Sequence, residues 1–125
     1  MILDTNALSA LAEQDPALLG ILAPEPHLTL NLVSIAEFQF GIDGSSKRKT
    51  LQTWFRRVLE QSVLLKPGMG TVPEYSRIRH ELKSAGTPIP ANDIWIAAIC
   101  REHHLPILSR DRHFDVVKGL KRVAW

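Results

Sequence analysis

Met1-Ile2-Leu3-Asp4-Thr5-Asn6 opens the chain, an apolar run too short for anything but a buried strand and stopped by a carboxylate. Ala7-Leu8-Ser9-Ala10-Leu11-Ala12 follows it and reads as helix. In an open α/β sheet ligands bind just beyond the carboxyl ends of the strands, so an acid at this junction faces a site and not the packed core. The competing reading is local: Asp, Thr and Asn are favoured N-cap residues, and one acid before a helix usually only caps it. Acids at matching junctions elsewhere in the chain decide between the two.

Working outward, Asp15-Pro16 starts a short helical segment at 17–22 that Pro24-Glu25-Pro26 closes, since proline cannot continue a helix. Residues 27–33 alternate apolar and polar, which predicts a second strand with Leu28, Leu30 and Leu32 on one face. Ser34-Ile35-Ala36-Glu37 then has the form of a capping box, with Ser34 as N-cap and Glu37 reaching back to it. A turn at Asp43-Gly44-Ser45-Ser46 precedes an amphipathic helix over 47–61, with Leu51, Trp54, Phe55, Val58 and Leu59 on one side. A third strand at 62–66 leads to a helix marked by Val72, Tyr75, Ile78 and Leu82 that ends before Gly86. Asn92-Asp93 opens Ile94-Trp95-Ile96-Ala97-Ala98-Ile99-Cys100, which is apolar all round and therefore buried on more than one side. A fourth strand at 105–109 precedes Arg110-Asp111-Arg112-His113-Phe114-Asp115, and the tail at 120–125 reads as a fifth, edge strand. Helices alternating with short strands predict a three-layer α/β/α sandwich around a central parallel sheet. With no internal repeat or linker, the expectation is one domain over residues 1–125.

A chain of 125 residues buries enough surface to need no disulfide. Its single cysteine, inside the apolar run, forms no intrachain bridge and points to a reducing compartment. There is no leader-like start and no stretch long enough to span a bilayer, so the expectation is a soluble cytoplasmic protein without a membrane partner. A net charge of +2 is compatible with a polyanion but does not demand one.

Four acids stand at equivalent places: Asp4 after strand one, Glu37 after strand two, Asp93 at the start of the buried helix, and Asp111 after strand four. Capping and helix-dipole effects explain each singly, but parallel topology brings all four to one edge of the sheet. Like charges about 4 Å apart repel by roughly 4 kcal/mol at an effective dielectric near 20, so converging carboxylates need a cation. Hard oxygen donors without cysteine or ordered histidine pairs point to Mg²⁺, with Mn²⁺ as its substitute. The five histidines are scattered, and His103 and His104 suit a helix C-terminus better than a metal. Arg110 and Arg112 flank Asp111 and are candidates for substrate phosphate. No phosphate loop, zinc-protease motif or nucleophile elbow is present.

Taken together, Leu3-Asp4-Thr5-Asn6, Ser34-Ile35-Ala36-Glu37, the stretch Ile89-Pro90-Ala91-Asn92-Asp93-Ile94-Trp95-Ile96-Ala97-Ala98 and Leu108-Ser109-Arg110-Asp111 resemble a PIN domain of the VapC toxin type. The resemblance covers nearly the whole chain, with the four segments in the family's order. It implies a metal-dependent endoribonuclease in which Asp4, Glu37, Asp93 and Asp111 are the catalytic, metal-binding acids. Thr5, Asn6 and Ser109 would support them, and Asp115 would join or replace Asp111. Ser109 stands where the family more often has Thr, and Asp111 where many members have Asn. The resemblance further implies an RNA substrate, a small cognate antitoxin that covers the acidic groove, and a homodimer. The aromatic pairs Trp54-Phe55 and Phe38-Phe40 add apolar surface that would suit such a dimer. Two rivals remain in view. Phosphoacceptor receivers expect paired acids after strand one and haloacid-dehalogenase phosphatases expect Asp-x-Asp, whereas this chain has Asp4-Thr5-Asn6. A non-catalytic module that binds RNA or a protein would be favoured by loss of an acid, and none is lost.

Overall fold

The computed structural model describes residues 1–125. Its five strands are β1 (Ile2–Leu3), β2 (Thr29–Asn31), β3 (Val63–Leu65), β4 (Ile107–Leu108) and β5 (Arg122–Val123). They form one all-parallel sheet in the order β3-β2-β1-β4-β5. The six helices are α1 (Thr5–Ala12), α2 (Pro16–Leu22), α3 (Leu32–Asp43), α4 (Arg48–Glu60), α5 (Thr71–Ala85) and α6 (Ala91–His103), and a 3-10 turn spans Arg112–Val116. This is the three-layer sandwich that the alternation of helices and strands predicts.

Period-two alternation in the central strands divides the core. Ile2 and Ile107 point to one face, where they pack with Ile78, Leu82, Phe114 and the buried run of α6. Leu3, Leu30 and Leu108 point to the other, onto Leu8, Leu18, Phe38, Ile42 and Phe55 from α1 to α4. Cys100 lies in the first cluster as a free thiol, 1% exposed. The sheet's middle strands are only two or three residues long, so the polar residues that follow them begin at once on the layer's edge.

The structure corrects the start of α3. Asn31, not Ser34, is the N-cap: its extended backbone ends β2 and its side chain accepts from the Ser34 amide at 2.9 Å. The strand therefore ends earlier than the alternation through Val33 suggests, and Leu32 is half exposed on the helix. Asn31 wins because it serves two structures together: its amide also donates to the carbonyl of Leu3 on the neighbouring strand, at 3.2 Å. No capping box forms, which frees Glu37 from that role. The aromatic argument for a dimer changes as well. Phe38 and Phe55 are buried, Trp54 packs against the same core, and only Phe40, 83% exposed, stays on the surface.

Candidate metal centre

Asp4 occupies the N-cap position of α1 yet makes no side-chain capping bond. Its carboxylate is 4% exposed and is held by side chains instead. Ser109 donates its hydroxyl to Oδ2 at 2.7 Å, Asn6 donates to Oδ2 at 3.2 Å, and Ser34 donates to Oδ1 at 3.4 Å. Each donor is itself fixed. The Ser34 hydroxyl accepts from Asn31 at 2.9 Å, Asn6 accepts from the Arg110 amide at 3.1 Å, and the Ser109 hydroxyl accepts from the Asp111 amide at 2.9 Å. One buried carboxylate thus ties together the ends of β1, β2 and β4. Ser109 supplies the hydroxyl that threonine would supply at the same place.

Thr5 donates to Glu37 Oε1 at 3.0 Å, which orients the acid of α3 toward the start of α1. Asp93 lies in the first turn of α6, whose N-cap position is Pro90 and so offers no capping side chain. Asp111 does cap, accepting from the His113 amide at 2.9 Å at the start of the 3-10 turn. That turn brings in a residue the spacing of histidines did not single out. His113 Nδ1 stands 2.8 Å from Asp93 Oδ2 and 3.3 Å from Asp111 Oδ1. Donor atoms of Asp93, Asp111 and His113 all lie within 4.8 Å of one another. The one signal for it was its place two residues beyond an acid able to form an Asx turn.

Burial and like charge act together on these acids. Burial, with the charges of Asp93 and Glu37 adding to it, raises the Asp4 carboxyl above its ordinary value. Asp93 is raised chiefly by burial too, with Asp111 contributing repulsion and His113 opposing it. The hydrogen bond that the ring makes to the Asp93 carboxylate raises His113 in turn. None of Asp4, Glu37, Asp93 or Asp111 pairs with a lysine or arginine.

Other expected residues lie apart. Both oxygens of Asp115 are taken by Arg122, at 2.7 and 2.9 Å, so this acid fastens the turn to β5 and is not part of the group formed by Asp93, Asp111 and His113. Arg110 lies over the Trp125 ring at 4.5 Å, donates to the Trp125 carbonyl and reaches Asp15 at 3.5 Å. Arg112 is exposed at the start of the 3-10 turn.

The donor set is carboxylate oxygen with one imidazole, and the buried carboxylates are raised by mutual charge as well as burial. That chemistry fits a divalent cation. The family model for the PIN domain matches residues 1–120. The chain belongs to the PIN domain family. Among relatives of this PIN domain, Ribonuclease VapC1 of Haemophilus influenzae (strain R2866) is 28% identical over 129 residues, covering 99% of this chain and 96% of that protein. VapBC2 of Rickettsia felis, solved bound to a promoter DNA fragment, superposes with a TM-score of 0.87 at 22% identity, over 99% of this chain and 97% of that one. A toxin-antitoxin complex from Klebsiella pneumoniae gives 0.75 at 20% identity, over 95% and 93% of the two chains. These likenesses agree with the α/β/α fold of the PIN domain described above.

Proposed function

We propose that this PIN domain, acting as one unit over residues 1–125, is a Mg²⁺-dependent endoribonuclease and the toxin of a type II toxin-antitoxin module. The observation that supports the reading is that Asp93 and Asp111 lie with His113 within 4.8 Å of one another, while Asp4 feels the charges of both Asp93 and Glu37 and none of the four acids pairs with a lysine or arginine. The ribonuclease activity named for its Haemophilus relative is the reason to choose RNA, and the toxin-antitoxin assemblies of its structural neighbours are the reason to expect an antitoxin partner.

In this reading Asp4, Glu37, Asp93 and Asp111 hold the metal. A bound Mg²⁺ would supply the positive charge that activates a water and steadies the phosphodiester during in-line displacement. Ser109, Asn6 and Ser34 keep Asp4 in one orientation, so its charge is aimed before any ligand arrives. Thr5 does the same for Glu37. Arg112 is the basic side chain free to meet a substrate phosphate, since Arg110 is engaged by Trp125 and Asp15. Asp115 supports the turn through Arg122.

No helix is long and apolar enough to cross a membrane, and the buried free thiol fits the cytoplasm, where an RNA target is found. A homodimer completes the proposal, with Phe40 and the exposed Leu64 and Met69 as apolar surface for a second copy or the antitoxin. Light scattering at micromolar concentration should return twice the chain mass, and a monomer mass throughout would remove this part. The test of function is a panel of structured RNAs incubated with the purified protein in Mg²⁺ and in chelator. Cleavage that needs Mg²⁺ is expected. RNA retention without cleavage under every metal condition would leave the non-catalytic binding module as the better account.

A further inference from the structure

We propose that His113 is itself a ligand of the metal, its Nδ1 joining the Asp93 and Asp111 carboxylates, so that the centre is a mixed nitrogen and oxygen site with enhanced preference for Mn²⁺ over Mg²⁺. The inference rests on the metal-site reading above and adds a residue to it.

Spacing is the first ground. Adjacent donors around one small divalent ion with bonds of about 2.0–2.1 Å stand about 3 Å apart. Nδ1 lies 2.8 Å from Asp93 Oδ2 and 3.3 Å from Asp111 Oδ1. The imidazole therefore bridges the two carboxylates at the spacing that a shared ion requires.

The second ground is that the ring is placed by the backbone and not by chance. Asp111 fixes the His113 amide through its capping bond, and Phe114, fully buried in the core beneath α6, anchors the next residue. Asp93 is fixed from the other side by the first turn of α6. Three donors thus converge from two elements that the hydrophobic core holds together. The other histidines lack this arrangement: His103 meets the single carboxylate of Glu102 at 3.4 Å, and His27, His80 and His104 lie on the surface away from any acid pair.

Donor chemistry gives the consequence. Mg²⁺ takes oxygen ligands and keeps several waters, whereas imidazole suits the first-row transition ions. One nitrogen among the carboxylates shifts the balance toward Mn²⁺ without excluding Mg²⁺. An ordinary ion pair between His113 and Asp93 has the same appearance without metal, so the deciding measurement must read the ligand atom itself.

That measurement is pulsed electron paramagnetic resonance of Mn²⁺ added to chelator-stripped full-length protein. Wild type should show coupling of the bound ion to a ¹⁴N nucleus. His113→Gln, at a side chain half exposed in the fold, should lose the coupling, while the surface variant His27→Gln retains it. Competition titrations should show His113→Gln weakening Mn²⁺ binding at least about tenfold and lowering the Mn²⁺ to Mg²⁺ preference. Bound Mn²⁺ without nitrogen coupling, or coupling that survives His113→Gln, overturns the assignment and leaves the carboxylate site standing. A wild-type protein that binds no Mn²⁺ overturns the metal reading and this inference together.

Discussion

In its first turn α6 presents Asp93 to acids that no lysine or arginine joins, whereas in its last turn Arg101 lies between Glu74 at 3.0 Å and Glu81 at 3.1 Å and also donates to the Lys118 carbonyl. The two ends of one helix treat negative charge in opposite ways. Where Arg101 sits, the chain neutralises its own partly buried carboxylates and the fold is stabilised. Around Asp93 the carboxylates are raised by burial and by one another, so the metal-free fold bears a cost that a bound cation would offset. The carboxyl edge of the sheet thus holds acids that only His113 joins, whereas the far end of the helix matches its acids with arginine.

The largest expected effect is on activity. Asp4→Asn and Asp93→Asn keep the shape of each side chain, remove its charge, and should each lower RNA cleavage by at least about a hundredfold, since even outer-shell changes at metal sites cost ten- to a hundredfold. Arg101→Met should cleave like wild type wherever it is folded. Equal losses from both ends of α6 would break the contrast.

Stability should move the other way. Arg101→Met leaves Glu74 with Arg77 alone and the partly exposed Glu81 without a partner, and should cost about 1 kcal/mol, a fall in Tm of roughly 3–6 °C. Asp4→Asn should melt at or above wild type in chelator, because the charge it removes is disfavoured by burial. Asparagine is the apt replacement, since its one amide oxygen can still accept from the Ser109 hydroxyl, whereas alanine would leave both the Ser109 and the Ser34 hydroxyls without their acceptor. Mg²⁺ at ten times its Kd should add roughly 1.4 kcal/mol by mass action, about 3–6 °C in wild type and in Arg101→Met but little in Asp4→Asn. A Tm for Asp4→Asn well below wild type in chelator would make Asp4 a structural residue.

The smallest effects are in pH dependence, and they separate Asp4 from Asp115. A carboxyl raised in the folded state keeps its proton longer there than in the unfolded chain, so its contribution falls as pH rises from 3.8 through the raised value. The Tm advantage of Asp4→Asn in chelator should therefore appear as pH rises through that window. Asp115 is lowered by its hydrogen bonds from Arg122, so its contribution is present above 3.8 and is lost as pH falls through the lowered value. Being half exposed, the pair should be worth no more than about 1 kcal/mol. Thermal melts of Asp4→Asn and Asp115→Asn from pH 3 to 7 in chelator test both signs, and a difference of the same sign and window for the two variants would erase the distinction.

Much of this was legible in the residues because the signals were local and repeated. Short apolar runs ending in an acid fix strand ends and site edge together, and the parallel order follows from the helices between them. Asn31 was not legible because Ser34-x-x-Glu37 has the form of a cap in its own right, and the choice between them is settled by a hydrogen bond to a strand nearly thirty positions away in sequence. Helical spacing places Phe55 on the apolar side of its helix, but it does not say how many neighbours cover that side or which of Phe38 and Phe40 is covered. His113 was hidden for the opposite reason. Its partner Asp93 is twenty residues distant, and only tertiary packing of the 3-10 turn against α6 brings them together. Arg110 and Arg112 share a spacing, yet Trp125 claims the first and leaves the second exposed.

Cys100 makes α6 a timekeeper for the whole molecule. Burial pushes its thiol up to about 12, which disfavours the thiolate, the form that alkylating reagents attack. The folded chain is therefore silent to such reagents, and an opened chain with an ordinary thiol is not. The rate of labelling counts the moments at which α6 lifts from the sheet, with no dye and no engineered probe. The same helix carries Asp93 at its other end, so where labelling requires the whole helix to lift, a cation that holds the acidic edge closed would slow the clock.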